Sequence, residues 1–196
     1  MPANNYYDSL FSKNHVDLNR PRSSFPRERK VYTSLDAGKL VPIAFEEVLP
    51  GDTVTRRTRQ LWRLTTPKFP TMDHAFIDVY NFFIPYRILQ TNFKRVFGEA
   101  ETPWISSADY FIPQITFNKD YPGVNDFSVG DYLGLPTAKQ IKSVNRNGNV
   151  DYGVNALYGR GYAMTWNEYF RDVNLMPAAF CPLDDSDRPF YNHVSD

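Results

Sequence analysis

Apolar positions in this chain fall into short runs separated by polar stretches. Residues 1–33 show neither helical nor strand periodicity. They are rich in polar residues, Pro and Arg, including Arg20-Pro21-Arg22 and Phe25-Pro26-Arg27-Glu28-Arg29-Lys30, which predicts an extended arm. Over residues 38–49, Val41, Ile43, Phe45 and Leu49 recur at period two, interrupted by Glu47, as a half-buried strand requires. Leu49-Pro50-Gly51-Asp52 follows, with Pro at the second turn position and Gly at the third, the pattern of a type II turn. Residues 53–64, TVTRRTRQLWRL, lack Gly and Pro and predict a second strand of poor alternation. His74 to Ile84 is almost continuously apolar and aromatic. It predicts a central strand covered on both faces and stopped by Pro85. Within it Tyr80, Phe82 and Phe83 are core candidates, with burial of one face against a neighbouring subunit as the alternative.

Beyond Thr91, the spacing of Phe93, Val96 and Phe97, with Gly98 at a left-handed cap position, predicts a short helix packed on the sheet. Residues 99–160 carry Pro, Gly, Asn and Asp every few positions and read as long loops with short elements inside. Thr165 and Glu168 form a capping-box pattern. It opens a helix whose apolar face is Trp166, Tyr169, Phe170 and Val173, and Pro177 would end that helix. From Cys181 onward the chain is polar again, and no internal repeat is present.

Composition sharpens this picture. An aromatic share of 16% with 15 Pro against 10 Gly suits stiff, extended, Pro-punctuated segments, hence a mainly β fold rather than a helical bundle. The 22 basic and 22 acidic residues cancel, so any nucleic-acid role must be local. Charge is unevenly spread: the first 63 residues hold 11 Lys/Arg against 7 Asp/Glu, and the rest hold 11 against 15. A single cysteine, Cys181, excludes an internal disulfide framework and fits a reducing compartment. The polar start and the absence of an 18-residue apolar run predict a chain that is neither secreted by a signal peptide nor membrane-spanning.

Candidate chemistry is sparse. His15, His74 and His193 lack the companions a zinc centre needs, and Asp184, Asp185 and Asp187 lack the Gly-centred loop and distal Glu of a calcium loop. The acidic patch therefore reads as a solvated loop. Gly159-Arg160-Gly161 is too short for a phosphate loop, and Glu46 and Glu47, adjacent on a strand, would face opposite ways and suit structural roles. No catalytic centre and no cofactor is expected. A second basic cluster, Arg56, Arg57, Arg59 and Arg63 beside Trp62, could bind nucleic acid, although pairing with acidic neighbours is the commoner use of such a strand.

Five ordered blocks resemble one family. They are Arg22-Ser23-Ser24-Phe25; Asp36-Ala37-Gly38-Lys39-Leu40-Val41-Pro42; and Glu46-Glu47-Val48-Leu49-Pro50-Gly51-Asp52-Thr53. A longer block runs from Leu64-Thr65-Thr66-Pro67-Lys68-Phe69-Pro70-Thr71-Met72-Asp73 through His74–Arg87 to Asn92-Phe93-Lys94-Arg95-Val96-Phe97-Gly98-Glu99. The last is Trp166-Asn167-Glu168-Tyr169-Phe170-Arg171-Asp172-x-Asn174. Together they resemble the gokushovirus-type major capsid proteins of the Microviridae, small single-stranded DNA phages.

The resemblance implies an antiparallel eight-stranded jelly roll with large inserted loops, assembled as a T=1 icosahedral shell around circular single-stranded DNA. It also implies a small basic packaging protein and minor capsid proteins as partners, no membrane, and a virion assembled in the host bacterial cytoplasm. Members run well beyond 196 residues, so the expected organisation is an N-terminal portion. Residues 1–33 would be the arm and 34–196 an incomplete jelly-roll domain with insertions at about 99–160. The arm reads in two ways: Arg20, Arg22, Arg27, Arg29 and Lys30 touch DNA phosphates, or the arm lies on a neighbouring subunit. The rival from another class is a monomeric single-stranded nucleic-acid-binding β-barrel module. A carbohydrate-processing enzyme on a β-sandwich lacks the acid and base groups it would need.

Overall fold

A computed structural model of the chain describes residues 21–99, 110–117, 123–144 and 152–187. The chain divides into two units, Met1–Tyr32 and Thr33–Asp196. In the first, the described residues are exposed and form no helix or strand.

The second unit holds all the regular structure of the described residues. Helix α1 (Tyr86–Leu89) and helix α2 (Phe93–Val96) are single turns. Strand β1 (Gln114–Phe117) is followed by α3 (Val129–Tyr132) and α4 (Ala138–Val144). Strand β2 (Tyr152–Asn155) then leads into α5 (Leu157–Thr165), which continues as a π-helical turn, Trp166–Phe170. Strands β1 and β2 pair antiparallel, with Ile115 opposite Val154 and Phe117 opposite Tyr152. Alternation along β1 buries Ile115 and Phe117 and exposes Gln114 and Thr116, the period-two rule in its simplest form.

The core gathers on the buried face of that strand pair. Ile115, Phe117, Val124, Leu133, Leu135, Ile141, Ala156 and Ala163 form one cluster, flanked by the half-buried Tyr152, Val154, Tyr162 and Cys181. Local chemistry seats the short helices around it. Ser128 Oγ accepts from Asp131 N at the start of α3, and Gly134, at φ 81°, ends that helix. Thr137 N donates to Gln140 Oε1 where α4 begins, and Asn155 Oδ1 accepts from Leu157 N at the start of α5.

Two local predictions are realised closely. Asp52 N donates to Leu49 O at 3.1 Å with Gly51 at φ 86°, the expected type II turn. Helix α2 spans the predicted Phe93–Val96, with Gly98 at φ 90° after it. Its Phe93 ring lies 5.5 Å edge-on to Tyr86 of α1.

The predicted strands at 38–49, 53–64 and 74–84 are not strands. No backbone ladder partner lies beside them among the described residues, and most of their side chains face outward. Strand periodicity specifies a face to bury but not a partner to pair with, and unpaired backbone remains solvated coil. The predicted helix beginning at Thr165 is also displaced. Thr165 sits at φ −59°, ψ −43°, inside the helix, and its hydroxyl donates back to Gly161 O at 2.8 Å instead of capping. Helical structure therefore starts eight residues earlier, at Leu157, and stops at Phe170, ahead of Pro177. Arg171 N closes the π-turn by donating to Trp166 O.

Candidate functional site

The buried polar centre of the second unit is Arg160, whose relative exposure is 0%. It projects from α5 between Gly159 and Gly161. A Cβ added to Gly161 would stand 3.4 Å from Ile84 Cδ1 and 3.7 Å from Leu89 Cδ1, ordinary contact distances that place this side of α5 against α1. The guanidinium donates from Nη1 to Asp184 O at 2.7 Å and from Nη2 to Ser186 O at 2.9 Å, with a longer contact from Nη1 to Leu89 O at 3.4 Å. Burial pulls its pKa below the usual arginine value, and the charges of Asp184, Cys181, Asp185 and Asp187 oppose that shift. Arg160 remains a cation, fixing the C-terminal described segment by its main chain.

The carboxylates of that segment complete the clamp. Asp185 accepts from Gln90 Nε2 at 2.6 Å and from Asn92 Nδ2 at 2.8 Å, and Asp187 accepts from Gln114 N at 2.8 Å. Thr91 N donates to Leu183 O at 2.9 Å. The Asp184–Asp187 patch, expected as a solvated loop, is therefore a docked strap joining α1, α2, β1 and α5. Its partners lie 24 to 95 residues away in sequence, beyond the reach of any local pattern. Nearby, Cys181 is half-buried and burial pushes its thiol pKa up, a structural environment and not a reactive one.

A second strap runs along residues 34–47. Tyrosine hydroxyls donate to it from the helices: Tyr132 to Ser34 O at 2.9 Å and Tyr162 to Leu40 O at 2.8 Å. Tyr86 at 2.7 Å and Tyr158 at 2.5 Å converge on Glu47 Oε1, and the Phe45 ring packs 4.2 Å from that of Tyr158. The hydrogen bonds from Tyr158 and then Tyr86 hold the Glu47 carboxyl below its ordinary pKa. Glu47 thus has the structural role its sequence position suggested.

Outside these straps lies an exposed aromatic band. Phe76 is 85% exposed and Phe83 81%, and Tyr80 and Phe82 are also open to solvent. Tyr80 meets Phe170 edge-on at 5.4 Å, and Phe82 lies 5.0 Å from Tyr169 and 6.0 Å from Phe170. A cleft of about 450 Å³ opens beside them, bordered by Ile84, Ile88, Met164 and Glu168. The expected core of Tyr80, Phe82 and Phe83 is therefore surface among the described residues.

The basic residues divide between the two units. Arg20 lies outside the described residues. Arg22, Arg27, Arg29 and Lys30 are exposed, with Lys30 3.7 Å from Glu28. In the second unit Arg56 Nη1 donates to Asn81 Oδ1 at 2.8 Å. Arg57, Arg59 and Arg63 are exposed and have no carboxylate partner among the described residues. His74 is exposed, and His15 and His193 fall outside the described residues.

Comparison with known proteins identifies the context of these features. Residues 14–194 match the family of the capsid protein (F protein). The capsid protein VP1 of Bdellovibrio phage phiMH2K is 34% identical over 164 residues, which is 84% of this chain and 28% of that protein. The capsid protein VP1 of Chlamydia phage 1 is 36% identical over 159 residues, 79% of this chain and 25% of that protein. That of Spiroplasma virus 4 is 28% identical over 179 residues, 91% of this chain and 29% of that protein. The chain spans little more than a quarter of the length of the relatives it matches. With nearly its whole length matched, including both straps and the aromatic band, the chain belongs to the capsid protein (F protein) family of Microviridae phages.

Proposed function

We propose that this chain serves as part of a structural major capsid subunit. The whole subunit would assemble as a T=1 icosahedral shell around circular single-stranded DNA. The observation that carries this reading is the family match over residues 14–194, more than nine-tenths of the chain. The exposed aromatic band agrees with it, because a subunit must keep apolar surface for its neighbours, and closed symmetry multiplies each such contact around the shell. In this reading residues 34–196 contribute to an antiparallel jelly roll. The segments at 38–49, 53–64 and 74–84 then acquire their strand partners from further sequence or neighbouring subunits. A small basic packaging protein and minor capsid proteins would join it in a virion assembled in the host bacterial cytoplasm.

Residues 1–33 would be an arm, with Arg20, Arg22, Arg27, Arg29 and Lys30 touching packaged phosphates. Changing Arg22, Arg27, Arg29 and Lys30 together to Ala should lower the nucleic-acid content of particles while leaving the subunit fold intact. Unchanged packaging would assign the arm to a neighbouring subunit.

Sedimentation velocity at two wavelengths, on protein from its native source, tests the assembly itself. The expected result is a fast species of megadalton size with a nucleic-acid spectrum. A slow, homogeneous species without nucleic acid would refute the capsid reading and leave a monomeric binding module in its place.

A further inference from the structure

We propose that Arg57, Arg59, Arg63 and Trp62 form a binding surface for single-stranded nucleic acid, with Arg56 anchoring the segment by its bond to Asn81. This deepens the capsid reading by naming a place, separate from the arm, where a packaged strand would lie.

Charge is the first argument. Four arginines fall within the eight residues 56–63, and among the described residues Arg56 is the one that is engaged, through its 2.8 Å bond to Asn81 Oδ1. Arg57, Arg59 and Arg63 have neither an ion pair nor a hydrogen bond among the described residues. The nearest carboxylates in sequence make local backbone contacts rather than contacts to these arginines: Asp52 accepts from Leu49 N at 3.4 Å and Asp73 from His74 N at 2.7 Å. Three solvated guanidiniums crowded in one short segment repel one another, and an incoming polyanion relieves that repulsion and releases its own counterions.

Aromatic interleaving selects the kind of polyanion. Trp62 lies between the arginines in sequence and is 39% exposed, its indole N–H turned to Gln60 Oε1 at 3.0 Å. The Arg56–Asn81 bond brings this segment beside the one that carries Tyr80, Phe82 and Phe83, and the Phe83 ring is 81% exposed. Guanidiniums for phosphates together with open aromatic faces for bases are the two components of a single-strand platform. A duplex would present no free base faces to those rings. An acidic peptide would use the arginines and leave Trp62 without a role.

The test is fluorescence anisotropy of a labelled oligothymidylate with the full chain, read across a range of salt concentrations. Replacing Arg57, Arg59 and Arg63 with Ala should reduce the slope of log affinity against log salt by about 2, since each phosphate neutralised on a single strand contributes roughly 0.7. Trp62→Ala should weaken binding roughly tenfold with the slope unchanged, as removal of one stacked base predicts. Replacing the same three arginines with Lys should preserve the slope, which separates charge from any folding defect.

An unchanged slope in the triple Ala variant overturns the proposal, as does wild-type affinity in Trp62→Ala. Equal competition by an oligoglutamate of matched charge also overturns it, and would assign the surface to an acidic protein segment. The two readings fail separately. A chain that forms no particles yet shows these binding changes refutes the capsid reading alone, and particles formed without them refute this surface alone.

Discussion

Replacing Arg160 with Ala should undock residues 183–187 while leaving the β1–β2 pair and its core in place. Arg160 makes two short hydrogen bonds to the strap, to Asp184 O at 2.7 Å and Ser186 O at 2.9 Å. At roughly 1.5–3 kcal/mol for each bond to a charged donor, their loss would cost about 3–6 kcal/mol. Part of that is returned, because the variant no longer keeps a wholly buried guanidinium out of water, so a net loss of about 3 kcal/mol is expected. The remaining contacts, Asp185 with Gln90 and Asn92 and Asp187 with Gln114 N, cannot make up that difference. Two backbone amides report directly on docking, since Thr91 N donates to Leu183 O and Gln114 N to Asp187 Oδ1. Native-state hydrogen exchange at those amides should accelerate about a hundredfold in Arg160→Ala, a factor of ten for each 1.4 kcal/mol. Amides inside the β1–β2 pairing should change far less. Arg160→Lys should fall between, because a single ammonium cannot reproduce the fork that spans two carbonyls. Unchanged exchange at Thr91 and Gln114 in Arg160→Ala would refute the view that this guanidinium holds the strap.

Three further outcomes follow from the geometry. Glu47→Ala removes the acceptor shared by Tyr86 and Tyr158, so trypsin should cut after Lys39 several-fold faster, at a local cost of about 1 kcal/mol for exposed hydrogen bonds. The same contact sets a pH window. The Glu47 pKa is lowered from 4.5, so its contribution is complete above that value and lost as pH falls through the lower folded one. The pKa of Tyr86 is raised from 10.0, chiefly by burial and then by Glu47, so alkaline loss begins only above 10; near-ultraviolet circular dichroism of the tyrosines should show both limits. Gly123→Ala should lower stability in urea by more than about 2 kcal/mol, since φ 128° is strained for an L residue and the new Cβ would meet Ala138 N at 2.6 Å and Pro136 O at 2.8 Å. Gly51→Ala, at φ 86° in open space, should cost only about 1 kcal/mol, and equal losses at the two sites would refute the close-approach argument. Phe83→Arg, at a side chain 81% exposed, should leave the circular dichroism spectrum intact and abolish particles in sedimentation; particles in normal yield would remove that ring from the assembly face.

What the sequence made legible is what short-range chemistry decides. Pro50-Gly51 dictates its turn through two backbone dihedrals, and Phe93 to Gly98 dictates a helical turn and its left-handed end, so both appear where expected. The segment 74–84 carries an equally strong signal, but that signal concerns burial, and burial is supplied by whatever lies opposite. With Phe76 and Phe83 facing solvent, the same pattern that predicts a central strand describes exposed surface among the described residues.

Helix α5 fails in the other direction. Gly159 and Gly161 each argue against a helix by roughly 1 kcal/mol relative to Ala, and no periodic face announces one. Yet Leu157, Arg160 and Ala163 are buried there, and the Gly161 position packs against Ile84 and Leu89. The burial of this helix against the rest of the unit outweighs the local cost of its glycines. Arg160 and the Asp184–Asp187 strap were unreadable for a related reason: each looks like a solvated charge until the other is placed beside it. Such pairs carry no periodicity and no motif, only a long-range geometric match. The features that hold this unit together are therefore the ones a single sequence conceals, while the exposed aromatic and basic runs are those that sequence reading finds first.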